Sequence, residues 1–237
     1  MEMTMDNTIR KLIVIPAFNE EGNLEKTIQD IRENAPDFDY VIINDCSTDD
    51  TLEVCRKHGY SYLNLPVNLG IGGAVQTGYR YAYYHGYDVA VQFDGDGQHS
   101  ARYLGQMVQT MKETQSSMVI GSRFIEKEGF QSSTLRRMGI RYFTGLIRVL
   151  TGKVITDPTS GMRMVDRTLL KKFTEDYPKD YPEPESVVTV LAEKYKVTEI
   201  PVVMNERMEG NSSISMGKSV YYMIKVSIAM LIARMKK

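Results

Sequence analysis

Short apolar runs alternate with longer amphipathic stretches through the first half of the chain. Five runs of this kind predict β-strands, namely Lys11–Ile15, Tyr40–Asn44, Ser61–Leu65, Asp88–Phe93 and Met118–Gly121. The stretches between them have apolar positions at helical spacing and predict four helices, namely Glu21–Asn34, Asp49–His58, Gly72–His85 and Ala101–Thr114. This alternation is typical of a doubly wound α/β protein with a mostly parallel central sheet.

Two further helices are predicted in the second half. Thr134–Leu150 places Arg137, Arg141 and Arg148 on one narrow stripe and its apolar residues on the opposite side. That pattern fits an interfacial helix on anionic lipid and, equally, a core helix with a basic outer face. Val220–Ala233 is almost entirely apolar but shorter than the roughly 20 residues of a membrane span. It predicts an amphipathic helix that lies on a membrane, closes the core or forms a dimer interface.

Composition narrows the class of protein. The 237 residues are 42% hydrophobic and 25% charged, which is a globular composition that suits one large α/β domain. A net charge of −1 gives no global signal for nucleic-acid binding, and two cysteines cannot form a disulfide framework. The polar start MEMTMDNTIRK is unlike a signal peptide. We expect a cytoplasmic protein with one domain over residues 1–214 and a membrane-proximal helix over residues 215–237.

Two aspartates, one residue apart, follow the fourth predicted strand in the stretch VAVQFDGDGQHS. Asp94 and Asp96 leave the carboxyl end of that strand, which is where open α/β sheets bind their ligands. Two carboxylates at such a site suit Mg²⁺ or Mn²⁺, which share phosphate oxygens and keep some water. Asp-Gly pairs are also common in turns, so the motif alone does not decide between a metal site and a turn.

Polar and glycine-rich segments also follow the first three predicted strands. IPAFNEEGNL contains Pro16, Asn19 and Glu20, INDCSTDDT contains Asp45, and NLGIGGA leads into a helix. Ordinary capping and turn chemistry would account for each segment by itself. Because parallel strands end at the same edge of a sheet, the four segments together predict one shared ligand site.

The ordered segments IPAFNEEGNL, INDCSTDDT, NLGIGGA, FDGDGQH, GSRF and DPTSGMR resemble the motifs of family 2 glycosyltransferases. The likeness runs from Lys11 to about Ile214 and is greatest to the branch that makes polyprenyl-phosphate sugars. It implies a single Rossmann-like GT-A domain, a nucleotide-sugar donor, a divalent metal and inversion at the anomeric carbon. Cys46 and Ile71 depart from the family pattern, since many members carry Gly and Lys at these positions.

The resemblance also implies roles for individual residues. Asp94, Asp96 and Gln98 would hold the metal against the donor diphosphate. The nucleotide would contact a larger set, comprising Pro16, Ala17, Phe18, Glu20, Asp45, Asn68, Gly72, Asp94 and Gly95. The residues expected to carry catalysis are Asp94, Asp96, Arg123, Arg137 and Arg207.

The second half of the chain gives information about the group that accepts the sugar. Members of the family that act on hydroxyl groups use an acidic general base, for which the nearest candidates here are Asp157, Glu183 and Glu185. A phosphate acceptor is already anionic and needs cations to hold it, for which arginine is well suited. The expected acceptor-phosphate residues are Arg123, Arg136, Arg137, Arg207 and Ser212. The segment that contains Arg207, Gly210 and Ser212 resembles the R-x-x-G-x-S loop of the polyprenyl-phosphate branch, and Ser213 departs from the Lys that is common there. Solvated surface is the alternative for these arginines, and it is the better one for Arg136 by itself.

The expected function is transfer of a hexose or N-acetylhexosamine from UDP-glucose or UDP-N-acetylglucosamine to undecaprenyl phosphate, for cell-surface glycan synthesis. The expected partners are the inner face of the plasma membrane, a small membrane protein and a second copy of the chain, without nucleic acid. The alternatives are transfer to a hydroxyl of a growing polysaccharide and a non-catalytic scaffold in a membrane complex. A D-x-D phosphatase is disfavoured because its motif should follow the first strand.

Overall fold

A computed structural model describes residues 9–126, 134–205 and 216–236, with side chains from residue 137 in the second range and from residue 221 in the third. The strands are β1 (Lys11–Ala17), β2 (Asp39–Asn44), β3 (Tyr62–Asn64), β4 (Val89–Gln92), β5 (Met118–Ser122), β6 (Arg163–Asp166) and β7 (Val197–Pro201). The helices are α1 (Leu24–Asn34), α2 (Thr51–Lys57), α3 (Gly70–Tyr84), α4 (Leu104–Thr114), α5 (Thr134–Thr151), α6 (Arg167–Glu175), α7 (Pro182–Ala192) and α8 (Met216–Met235). A short 3₁₀ helix, Ala101–Tyr103, precedes α4.

The strands form one sheet in the order β3-β2-β1-β4-β6-β5-β7. Four of the six neighbouring pairs are parallel, and β6 is antiparallel to both of its neighbours, β4 and β5. The predicted α/β class with a mostly parallel sheet is confirmed, and every predicted strand and helix is present. The sequence patterns do not predict β6, β7, α6 or α7. β6 is only four residues long and runs directly into α6, so the alternating pattern of a strand and the 3.6-residue pattern of a helix are not separated clearly in the sequence.

Both faces of the sheet are covered by helices. Leu12 and Val14 of β1 pack on the side of α3, α5, α6, α7 and α8, whereas Ile13 and Ile15 pack on the side of α1 and α4. Burial on both faces explains why β1 is an almost continuous apolar run. Strands β1 to β4 are parallel and therefore end at the same edge of the sheet, where the loops that follow them lie side by side.

Helices α5 and α8 lie next to each other and run in the same direction. Tyr142 Oη and Ser227 Oγ are 3.0 Å apart, and Arg234 Nε donates to Leu150 O at 2.9 Å. Both helices bury one face in the core, through Ile140, Phe143, Ile147, Val226, Met230 and Ala233. Core packing therefore accounts for one face of each helix and leaves the other exposed. No helix in the described part of the chain combines the length and apolar character that a bilayer span needs.

Candidate functional site

The loops after β1 and β2 are joined by hydrogen bonds. The Asn19 N–H donates to Ser47 Oγ at 3.0 Å, and Asn19 Oδ1 accepts from the Thr48 N–H at 2.8 Å. The Glu20 N–H donates to Thr51 Oγ1 at 2.9 Å. Asn19 has a φ of 58°, a left-handed conformation that asparagine adopts more readily than most residues. These contacts form one wall of the site before any ligand binds.

Asp45 joins the second loop to the third. Its N–H donates to Ala17 O at 2.9 Å, and its Oδ1 accepts from the Leu69 N–H at 2.7 Å. Asn68 Nδ2 donates to Asp45 O at 3.1 Å. Asp45 is only 3% exposed whereas Phe18 is 47% exposed, so Asp45 mainly organises the loops and Phe18 offers an open apolar surface. The loops and strand ends thus bring together six of the residues predicted to bind nucleotide, namely Pro16, Ala17, Phe18, Glu20, Asp45 and Asn68.

Cys46 follows Asp45 with a φ of 58°, which is unfavourable for a side chain that has a Cβ. We expect Cys46→Gly to raise the free energy of unfolding by about 0.5–1 kcal/mol. Relief of left-handed strain, about 1–2 kcal/mol, exceeds the extra backbone entropy that glycine loses. Urea denaturation measures this change. Cys46→Ala is the matched control because it removes the thiol and keeps the backbone strain, so it should not raise the free energy of unfolding. An equal rise in both variants would show that loss of the thiol, and not relief of strain, is the cause.

Gly72, predicted to contact the nucleotide, packs against backbone. Its N–H donates to Lys179 O at 3.1 Å, and a Cβ at this position would lie 2.1 Å from Pro178 O. Close approach of α3 to the segment before α7 therefore explains why glycine is required here. Contact between Gly72 and the nucleotide stays a prediction. Gly95, also in the predicted set, lies on the Asp94 turn, where a Cβ would lie 3.4 Å from Pro16 O.

The Asp94 carboxylate is oriented by three neighbours. Its Oδ1 accepts from Gln92 Nε2 at 3.1 Å, and its Oδ2 lies 3.8 Å from His99 Nε2. The Asp94 N–H donates to His99 Nδ1 at 3.0 Å. A Cβ at Gly161 would lie 2.3 Å from Asp94 Oδ2, so that only glycine leaves room for the carboxylate. The carboxylate is therefore held in one orientation in advance of ligand binding, which is what preorganised catalysis requires.

Asp96 lies beside Asp94 on the same turn, and its Oδ1 accepts from the Gln98 N–H at 3.1 Å. In the described ranges, no group of three or more His, Cys, Asp and Glu side chains is placed to hold a metal ion. Two carboxylates nevertheless fit Mg²⁺ or Mn²⁺, because these ions complete their coordination with substrate phosphates and water. The Gln98 side chain as a third ligand stays a prediction.

Arg123 forms a buried ion pair with Asp157. Its Nε and Nη2 donate to Asp157 Oδ2 at 2.7 Å and Oδ1 at 2.8 Å, and Nη2 also donates to Thr159 Oγ1 at 3.1 Å. Both residues are buried. Because each carboxylate oxygen of Asp157 accepts from Arg123, Asp157 is placed as a counter-ion rather than as a general base. A phosphate contact of Arg123 stays a prediction.

Glu183 is close enough to Asp94 for the two carboxyl groups to interact electrostatically, and both hydrogen-bond the Gln92 side chain. Burial raises the pKa of the Glu183 carboxyl; the Arg163 cation opposes this rise, and the negative charge of Asp94 adds to it. Glu185 lines a cavity between α8 and the segment before α7, together with Asp180. Of the three acids considered as a base, Glu183 is therefore the one that the structure brings beside Asp94.

Arg163 of β6 is a buried residue that sequence reasoning missed. Its Nε and Nη2 donate to Ser160 O and Pro158 O, each at 2.7 Å, and its Nη1 donates to Ser186 Oγ at 3.0 Å. In the β4–β6 pairing it stands opposite Gln92. Arginine is mostly exposed in proteins, so only its place in DPTSGMR could have drawn attention to it. It ties the segment that carries Gly161 to the start of α7.

Several predicted acceptor residues are not placed by the structure. Arg207 and Ser212 lie outside the described residues, and so does the side chain of Arg136. Arg137 is half-buried near the start of α5. The roles of these four residues stay predictions.

Comparison with known proteins gives a consistent result. The family described as Glycosyl transferase family 2 matches residues 12–174. The UDP-N-acetylglucosamine–dolichyl-phosphate N-acetylglucosaminyltransferase of Methanococcus voltae is 27% identical over 95% of this chain and 96% of its own. The undecaprenyl-phosphate mannosyltransferase of Micrococcus luteus is 28% identical over 88% of this chain and 89% of its own.

A solved structure with a similar fold is glucosyl-3-phosphoglycerate synthase from Mycobacterium tuberculosis, in complex with Mn²⁺, UDP-glucose and phosphoglyceric acid. The TM-score is 0.75 at 18% identity, over 96% of this chain and 80% of that one. This likeness confirms the predicted GT-A fold.

Proposed function

This chain belongs to glycosyl transferase family 2, and from that membership we propose inverting transfer of a hexose or N-acetylhexosamine from a nucleotide sugar to a polyprenyl phosphate. The observation that carries the proposal is the placement of Asp94 and Asp96 at the sheet edge where the loops after β1, β2 and β3 meet. The two relatives named for dolichyl phosphate and undecaprenyl phosphate, each matched over most of its length, support the lipid-phosphate acceptor.

The proposed reaction is an in-line displacement at the anomeric carbon. An oxygen of the acceptor phosphate bonds to that carbon while its bond to the nucleoside diphosphate breaks, and the electron pair leaves with the diphosphate. Asp94 and Asp96 would hold the diphosphate end through Mg²⁺ or Mn²⁺, which neutralises the leaving group when bound. The acceptor phosphate is already anionic at neutral pH, so no general base is required.

Arginines are proposed to hold the lipid phosphate, namely Arg123, Arg136, Arg137 and Arg207, together with Ser212. Asp157 supports this role for Arg123 because it fixes the plane of the guanidinium at the end of β5. The positive charge of an arginine held in this way suits recognition of a phosphate. The cations would also reduce repulsion between the acceptor and the donor diphosphate.

UDP-glucose or UDP-N-acetylglucosamine is the proposed donor. The Mycobacterium tuberculosis enzyme in complex with Mn²⁺ and UDP-glucose supports a uridine nucleotide and this metal. The two curated relatives are named for different sugars, N-acetylglucosamine and mannose, so the family does not determine the sugar. A lipid acceptor supports peripheral attachment to the inner face of the plasma membrane. A small membrane-protein partner and a second copy of the chain stay predictions.

Transfer of labelled sugar from a panel of UDP- and GDP-sugars to undecaprenyl phosphate tests the proposal. We expect one donor to give label in the organic phase with Mg²⁺ or Mn²⁺, and none after the metal is removed with a chelator. Hydrolysis of the donor without lipid product under every condition would refute the acceptor and leave the family assignment intact.

Gly161→Ala is expected to lower kcat/KM by about tenfold or more while the protein stays folded. The new methyl group would displace Asp94 Oδ2, which lies 2.3 Å from the Cβ position, and misplacement of a catalytic group by about 1 Å has a large cost. Steady-state kinetics over a range of Mn²⁺ concentrations would reveal the weakened metal site. Gly105→Ala in α4 is the matched control because, apart from neighbouring backbone of its own helix, no atom lies within 4 Å of its Cβ position. Equal activity of both variants would show that Asp94 tolerates the displacement.

A second candidate function, transfer to a sugar hydroxyl, is favoured by Glu183, which shares the Gln92 side chain with Asp94. A general base contributes roughly 10²–10⁴-fold to such a reaction. With a phosphate acceptor we expect Glu183→Gln to retain at least about a tenth of wild-type kcat. The pH–rate profiles of the wild type and the variant should then have the same shape, because Glu183 does not act as a base. A larger loss, together with disappearance of the acidic limb of the pH–rate profile, would favour the hydroxyl acceptor. Glu185→Gln is the matched control.

A further inference from the structure

The outer faces of α5 and α8, which lie side by side, both expose apolar residues. They are Met138, Tyr142, Val149, Tyr221, Ile224, Ile228, Leu231, Ile232 and Met235, and we refer to these nine residues as the α5/α8 face. Each is between 44% and 81% exposed. Five of the α8 residues recur at intervals of three and four from Tyr221 to Met235, so they form one straight stripe over the part of the helix whose side chains are described. An exposed apolar stripe of this kind marks an interaction site rather than ordinary solvent-facing surface.

The charged residues within the two helices all have the same sign. Neither Thr134–Thr151 nor Met216–Met235 contains an aspartate or a glutamate, whereas together they contain four arginines in α5 and two lysines and an arginine in α8. Arg141 and Arg148 are exposed next to the apolar residues of α5, and Lys153 is exposed just beyond its end. A large apolar stripe on helices whose own charged residues are all cations is the pattern of a helix that lies in the interface of an anionic membrane.

The same charge pattern disfavours a second copy as the occupant. In a two-fold symmetric contact each surface patch meets itself, so the cations of one copy would face those of the other. An anionic lipid surface instead pairs with each exposed arginine and lysine, while the apolar side chains enter the acyl boundary. The length of α8, about 30 Å for 20 residues, is then parallel to the membrane plane.

Helix α8 is attached to the segment that leads into the active site. Lys225 Nζ lies 2.7 Å from Asp180 Oδ2, and the rings of Tyr222 and Tyr181 pack edge to face at 4.5 Å between centroids. Three residues after Asp180, the same segment reaches Glu183, whose backbone carbonyl accepts from Arg163 and whose side chain shares Gln92 with Asp94. A membrane held by α8 would therefore be connected through one short segment to the proposed site of sugar transfer.

We propose that the α5/α8 face docks on the headgroup layer of an anionic bilayer and holds the active site next to its lipid acceptor. The proposal deepens the proposed function. It rests on that function only for the reason why the protein docks, namely to reach a lipid acceptor. Binding itself needs no substrate. Vesicles that contain no polyprenyl phosphate can therefore test docking independently of the reaction.

Flotation of the full chain with phosphatidylcholine vesicles, with and without phosphatidylglycerol, is the experiment. We expect binding to the anionic vesicles, reduced about tenfold or more in Ile224→Gln/Ile228→Gln, because two apolar side chains then lose their burial. Arg141→Gln/Arg148→Gln should reduce binding to anionic vesicles by about tenfold, and high salt should have the same effect on the wild type. Tyr84→Gln is the matched control, since Tyr84 is a 74% exposed aromatic residue at the end of α3 and belongs to neither helix.

Three results would overturn the proposal. The first is that the wild type fails to bind protein-free vesicles but binds native membranes, which would identify a membrane protein as the occupant. The second is a concentration-dependent dimer, seen by analytical ultracentrifugation, that Ile224→Gln/Ile228→Gln dissociates. The third is equal vesicle binding by the wild type and both double variants. Unchanged thermal unfolding of the variants, together with activity on a short-chain soluble acceptor, would separate loss of docking from loss of folding or catalysis.

Discussion

Asp96→Asn is expected to lower kcat/KM for sugar transfer by about a thousandfold or more. Asparagine keeps the size of the side chain, and its Oδ1 can still accept from the Gln98 N–H, so the turn should persist. What is lost is one of the two negative charges available to the divalent ion that neutralises the leaving diphosphate. Initial rates with labelled donor at saturating lipid phosphate, over a range of Mn²⁺ concentrations, measure the effect.

The thermal unfolding of this variant should stay close to that of the wild type, because asparagine keeps both the size of the buried side chain and the oxygen that accepts from the Gln98 N–H. Asp37→Asn is the matched control. Asp37 forms an ion pair with Lys11 at the start of β1, at the opposite edge of the sheet from Asp96. The Asp37→Asn variant should therefore retain full activity. Retention of more than about a tenth of wild-type kcat/KM by Asp96→Asn would rule out the assigned role of Asp96.

Asp157→Asn is expected to lower the free energy of unfolding by about 3 kcal/mol or more. Arg123 is buried, and both oxygens of the Asp157 carboxylate accept from its guanidinium. The asparagine side chain has only one acceptor oxygen and no charge, so the buried Arg123 cation would lack its counter-ion. The backbone of this loop is also held by Glu199, which accepts from the N–H groups of Thr156 and Asp157, so the loop has little freedom to relax.

Urea denaturation of the wild type, Asp157→Asn and Arg123→Met/Asp157→Leu measures this effect. The double variant removes both charges and should be less destabilised than Asp157→Asn, because no uncompensated charge remains in the interior. A loss of less than about 1 kcal/mol in Asp157→Asn would mean that the ion pair contributes little to stability.

The position of the acidic pair could be predicted from sequence because it depends only on local order. Asp94 and Asp96 follow an apolar run, and the carboxyl ends of parallel strands share an edge. The same reasoning places Asn19 and Asp45 beside them, and the structure confirms that their loops contact one another. The sequence did not reveal that Asp45 is nearly buried, since burial depends on how the third loop folds over it.

The base candidates show where sequence reasoning stops. Glu183 and Glu185 are two positions apart on α7, so their side chains point about 200° apart around the helix axis. Which of them faces Asp94 depends on the rotation of α7 against the sheet, and that rotation is set by tertiary packing. Arg163 was missed for a related reason, because its burial requires β6 to insert between β4 and β5, and nothing in a four-residue strand predicts that position.

The central claim, that the acceptor is a lipid phosphate, is tested most directly by comparing two acceptors with one donor and Mn²⁺. The first is undecaprenyl phosphate and the second is undecaprenol, which has the same chain and a hydroxyl in place of the phosphate. Labelled product in the organic phase with the phosphate, none with the alcohol and none with Asp96→Asn is the predicted result. Equal transfer to the alcohol, or no transfer to the phosphate with any donor, would contradict it.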